Sequence, residues 1–259
     1  MLNIAITDLN ALTAFWLIFS RWLAVFIQLP IVEGRNAPQL VVILTSVIIS
    51  YALYPFLSAH MIQEIIYIGP NHFWLLTIFH VIVGLLIGLT VKSIMDIFVS
   101  SGLIISQQVG FGAMRYFDPT IAQTIGPFER LLIQTILLMV VFSGALLPMF
   151  RGIFLSFTSI SLLNISQITN VHMFFFSFFK GIFTTAIMLA SPLLLTNLVI
   201  SFIMGIMSRT VPQMNVLMVS FIINIVIGIL VFILTSNEFF QVSFKIYTDF
   251  LGKWFQFIK

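Results

Sequence analysis

Apolar residues run along this chain in long unbroken blocks, with short polar corners between them. Six blocks are long enough to cross a bilayer, whose apolar core of about 30 Å needs roughly 20 helical residues. They are Leu12–Val32, Leu40–Leu57, Phe73–Ile105, Leu131–Phe154, Phe174–Met207 and Val211–Leu234. The blocks are continuously apolar and lack the alternation of barrel strands, so they predict helices. The third and fifth are too long for one upright crossing and must protrude, tilt or break. The corners are "LPIVEGRNAP" (Leu29–Pro38), "GPNHF" (Gly69–Phe73) and "SRTVPQMN" (Ser208–Asn215). Pro192, inside the fifth block, is expected to kink that helix or to mark a helix start.

The last residues follow a different pattern. Phe240, Phe244, Tyr247, Leu251, Trp254 and Ile258 recur at steps of three and four, and Gln241, Lys245, Thr248, Gly252 and Gln256 fall on another face. This predicts an amphipathic helix that lies on a membrane surface or docks on a partner. The expected organisation is one helical domain over residues 1–236, divided near residue 130, followed by the amphipathic tail 237–259.

Composition agrees with the blocks. Of 259 residues, 60% are hydrophobic and 7% charged, and mean hydropathy is +1.16. Soluble domains carry about 25% charged residues, so this chain must meet lipid or many partners. A net charge of +3 gives no reason to expect nucleic acid, and the absence of cysteine removes disulfides and thiolate metal sites. The N-terminal residues have no basic start or cleavage motif and read as a retained first helix. Counting Lys and Arg over six alternating spans gives four on each side, so the positive-inside rule assigns no orientation.

Charges within the blocks need protein or water around them. Arg21 lies in the first block, Lys92 and Asp96 in the third, and Lys180 near the start of the fifth. Lys92 and Asp96 are one helical turn apart and suit an ion pair between packed helices, or a relay. His80, Gly84 and Gly88 also recur at steps of four. Small residues at that spacing let helix backbones approach closely, and His80 reads as an interhelical hydrogen bonder before a metal ligand. Asn197, Asn215 and Asn224 read the same way. No nucleophile motif, phosphate loop, metal-binding motif or carboxylate pair appears. The chain is therefore expected to be no enzyme and to need no cofactor or metal.

Three ordered pieces carry a family resemblance. They are Arg21 with "LPIVEGRNAPQLVVILTSVIISYALYP", then "VGLLIGLTVKSIMDIFVSSGLIISQQVGFGAMRYFDP", then "ASPLLLTNLVISFIMGIMSRTVPQMNVLMVSF". Together they resemble the FliR family of flagellar export-gate proteins and its injectisome counterpart SctT. The element Arg209, Pro212, Gln213 and Asn215 is the most specific; His80 stands where the family often has an acidic residue. The resemblance implies an all-α membrane fold, similar to a FliP-like part fused to a FliQ-like hairpin. It implies a gate assembled with FliP and FliQ, and with FlhB and FlhA, in the bacterial inner membrane at the flagellar basal body. Unfolded flagellar proteins would pass through it. Arg21, Lys92, Asp96 and Lys180 would then be buried between subunits and not in lipid, and Arg209, Pro212, Gln213 and Asn215 would lie at structural or subunit contacts.

That setting gives a reading for "QQVGFGAMRYFDP". A pore for unfolded chains must stay ion-tight at rest, and Phe and Met fill irregular gaps and exclude water. Gly110, Phe111, Gly112, Met114 and Phe117 are expected to form a pore plug, with Arg115 and Asp118 at its base. The alternative is a tight interhelical turn whose Phe packs in the core. Two other functions stay open: an injectisome gate subunit, and a small-molecule or ion transporter with a broken helix near Pro192 and Asn197.

Overall fold

The computed structural model describes residues 9–29, 38–110, 127–144, 146–164, 171–211, 213 and 215–258. Among these, seven helices and one 3-10 turn (Pro70–His72) make an all-α protein without strands. The helices are α1 (Leu9–Gln28), α2 (Gln39–Ile68), α3 (Phe73–Val109), α4 (Pro127–Phe142), α5 (Leu146–Ser159), α6 (Val171–Thr210) and α7 (Val216–Ile258). Five of them are long and apolar enough to cross a membrane, and α4 with α5 would make a sixth.

The element boundaries differ from the apolar blocks in instructive ways. Helix α2 runs through Pro55 and continues 11 residues past Leu57 to a stop at Gly69. There φ is +95°, a region that glycine enters without the usual steric cost, and the Gly69 N–H closes the helix on Ile65 O at 2.9 Å. The fourth block is divided by a turn at Ser143 and Gly144. Helix α6 runs unbroken for 40 residues through Pro192, about 60 Å at the helical rise. Proline cannot donate to the carbonyl four residues back, here Met188, and the Ser191 hydroxyl donates to that oxygen at 2.7 Å instead. The amphipathic tail is the second half of α7, with Tyr247, Leu251 and Trp254 buried and Gln241, Lys245, Thr248 and Gln256 exposed.

The chain divides into two compact units. The first holds the described residues of Met1–Ser93, Leu146–Phe175 and Leu251–Lys259. Its core joins Leu17, Ile18, Trp22 and Val25 of α1 to Leu57, Met61 and Ile65 of α2, with Ile153 and Phe157 of α5. Trp22 stacks on Phe150 at 5.9 Å, and Phe257 stacks on Phe174 at 4.1 Å. Gly84 and Gly88 do bring α3 against α1. A Cβ on Gly84 would lie 2.6 Å from Arg21 O and 2.8 Å from Ala24 Cβ; one on Gly88 would lie 3.2 Å from Val25 O. Gln28 Nε2 ties the same contact by donating to Leu85 O at 2.8 Å.

The second unit holds Ile94–Ala145 and Phe176–Phe250, again in their described residues. Leu189, Ala190 and Leu193 of α6 are buried, and Phe250 meets Phe178 edge-on at 5.4 Å. Much of the apolar surface of α6 and α7 stays exposed, including Leu195, Leu198, Phe202, Ile233 and Leu234.

Candidate functional site

The expected plug follows α3, so the end of that helix is the candidate site. Helix α3 closes at Val109, and Gly110 takes φ +94° with its N–H on Gln107 O at 3.2 Å. The last carbonyls of a helix have no partner within it. Asn197 of α6 supplies one, donating from Nδ2 to Gln108 O at 2.9 Å. On the α7 side, a Cβ on Gly228 would lie 2.9 Å from Val109 Cγ2 and 3.2 Å from Val109 Cα, so only glycine lets the two backbones come this close. Phe221 and Ile225 pack beside Gly110. The exit of α3 is thus held by one polar bond from α6 and by close backbone packing on α7. Phe111, Gly112, Met114, Arg115, Phe117 and Asp118 lie outside the described residues.

The first unit holds the buried charges. Arg21 is completely buried inside the chain, and its partners come from the end of α5. Nη1 donates to Ser156 O at 2.8 Å, Nη2 donates to Ile160 O at 3.0 Å, and the guanidinium lies 4.4 Å from the centre of the Phe157 ring. A cation at the carbonyl end of a helix meets both orphaned acceptors and the negative end of the helix dipole. Glu64 of α2 holds the residues just beyond: its Oε1 accepts the Leu162 N–H at 2.7 Å. Its Oε2 faces His80 Nε2 at 3.5 Å, longer than a well-formed hydrogen bond. His80 stacks on the other contact of this cluster, Phe157, at 6.3 Å. One cation from α1 and one carboxylate from α2 therefore clamp the segment Ser156–Leu162. Burial of Arg21 needs no neighbouring subunit.

The remaining expected residues are placed as follows. Lys92 and Asp96 are half-buried one turn apart on α3, and Lys180 is exposed. Arg209 is exposed in the last turn of α6, Gln213 is an exposed turn residue, and Pro212 lies outside the described residues. Asn215 caps α7: its Oδ1 accepts the Met218 N–H at 3.4 Å. Glu64, Phe157 and Gly228 were not foreseen. Glu64 had a signal, since it is an isolated carboxylate in the apolar segment Met61–Ile68. Among the described residues, no three His, Asp or Glu side chains gather as metal ligands would.

The model of the family described as "Bacterial export proteins, family 1" matches residues 12–249. The chain belongs to this family. The match runs from α1 almost to the end of α7 and takes in both the α3 exit and the Arg21 cluster. Among curated relatives, the flagellar biosynthetic protein FliR of Bacillus subtilis is 27% identical over 241 residues, covering 91% of this chain and 90% of its own. FliR of Buchnera aphidicola from Schizaphis graminum is 26% identical over 219 residues, covering 82% and 80%. The Yop proteins translocation protein T of Yersinia pestis is 26% identical over 225 residues, covering 86% and 85%. Both flagellar and translocation proteins of the export family are therefore similar to this chain along nearly its whole length.

Proposed function

We propose that this chain is a non-enzymatic subunit of the flagellar type III protein export gate in the bacterial inner membrane. The observation that carries the reading is the family match across residues 12–249, together with flagellar relatives aligned over 80–90% of their lengths. The apolar helices supply the membrane part, and unfolded flagellar proteins are the cargo. FliP and FliQ are the partners within the gate, with FlhB and FlhA beside it. In this reading Gly110, Phe111, Gly112, Met114 and Phe117 form the resting plug, with Arg115 and Asp118 at its base. The support is local: the helix that leads into this segment ends at a glycine with positive φ and is tied down at Gln108 and Val109. The similarity to the Yop translocation protein favours a second reading, a gate subunit of an injectisome.

Two measurements test this. Removal of the chain should abolish secretion of flagellar hook and filament proteins, and its return should restore it; intact flagellar secretion would move the assignment to the injectisome. Deletion of residues 110–114 should raise ion permeability of cells that still assemble the subunit. Unchanged permeability would sink the plug.

A further inference from the structure

Helix α3 ends in "QQVG", and its Gln108 carbonyl accepts a hydrogen bond from another helix. The donor that reaches it, Asn197, lies 89 positions along the chain on α6. The surrounding space is lined by Gln108, Thr196, Asn197 and Asn224 among apolar side chains, and has no room for a water molecule. The other end of the Asn197 amide is also engaged, its Oδ1 accepting from the Ser201 hydroxyl at 3.3 Å. Thr196 is occupied by its own helix, donating to Pro192 O at 2.8 Å. Asn224 Oδ1 is buried without a partner. If Asn197 lost its amide, Gln108 O would lose this donor beside Asn224 Oδ1, in a space with no room for a water to replace it, and a half-buried acceptor left so is costly.

We propose that Asn197 is the positioning residue of the α3 exit: its amide fixes the last turn of α3 against Gly228 of α7, and so sets where the segment after Gly110 begins. This rests on the pore-facing reading of that segment. The competing account is that close packing of Val109 on Gly228 suffices. In that case an apolar residue of similar size at position 197 would serve as well.

The chain contains no cysteine, so Val109→Cys introduces a unique thiol. Val109 is 1% exposed and packs on Gly228, so the thiol should be protected from alkylation while the α3 exit stays docked. The full chain is expressed with its export apparatus, and labelling by a maleimide is followed in membranes. Asn197→Leu should speed labelling roughly tenfold, the equivalent of one hydrogen bond. Without the cysteine, it should also make cells leak ions. Asn197→Gln keeps a donor and should lie closer to the parent in both assays, with equal amounts of protein in the membrane. Labelling at the parental rate in Asn197→Leu overturns the proposal. So does faster labelling in ion-tight cells, if deletion of 110–114 does cause a leak. If that deletion causes none, the plug reading falls by itself, and the labelling rate decides the role of Asn197 alone.

Discussion

Helices α1 and α7 are both apolar, yet they are covered very differently. Half of the most apolar stretch of α1 is buried within the chain, against 6% of that of α7. The difference follows their charges. Helix α1 carries Arg21 in its middle, whereas Val216–Asn237 of α7 contains no Asp, Glu, Lys or Arg. A cation cannot be left facing lipid without a cost of several kcal/mol, so other parts of the chain must enclose it. Leucine and isoleucine can face lipid or a partner equally well. In this pair, the helix with a charge in its apolar middle is the one that the chain covers by itself, and the bare apolar stretch is the one left for lipid or another subunit.

The largest effect should come from breaking the enclosed charge. Arg21→Leu removes the donors of Ser156 O and Ile160 O and leaves Glu64 as a buried, uncompensated carboxylate. Losing one partner of a buried charged cluster costs about 3–5 kcal/mol, enough to deplete the chain from membranes, as an immunoblot would show. Arg21→Leu with Glu64→Leu should recover part of the loss, because no lone charge remains. If the double variant is no better than the single one, charge compensation is the wrong account of the clamp.

Next come two glycines with the same substitution and opposite expected signs. Gly84→Ala adds a methyl 2.6 Å from a backbone oxygen of α1, so the helices must separate. Overpacking of this kind costs about 1–3 kcal/mol. Gly205→Ala on α6 meets nothing within 4 Å; it should gain up to about 1 kcal/mol from helix propensity alone. Thermal unfolding in detergent reads both. A loss at Gly205 that appears only in the assembled gate would place a partner's helix against that face.

The helical class, the approximate spans and the close approach at Gly84 and Gly88 were legible because they depend on local periodicity and side-chain size. The partners of Arg21 were not. A guanidinium announces that it needs acceptors, but here the acceptors are main-chain carbonyls at Ser156 and Ile160, and any residue has a carbonyl. Pro192 was ambiguous for the converse reason. Proline weakens a helix locally, and whether the helix survives depends on repairs such as the Ser191 hydroxyl. The same limit hid the α3 exit: Asn197 read as a hydrogen bonder, but its partner is the backbone of Gln108.

The smallest effect on the chain alone should be at Leu234, which is 80% exposed on α7. Leu234→Ala removes apolar area that the chain does not bury, so its own stability should change by no more than about 0.5 kcal/mol. Two covers remain possible for that face, and they respond differently. Lipid adapts to a smaller side chain, and the variant would then assemble and export as the parent does. A partner helix packs against a fixed shape, and deleting three carbons there leaves a cavity at the contact. Co-purification of the other gate subunits in mild detergent should then fall while the level of this chain stays constant. Unchanged co-purification would assign this part of α7 to lipid and confine subunit contacts to other faces, the open side of Gly205 being the next to test.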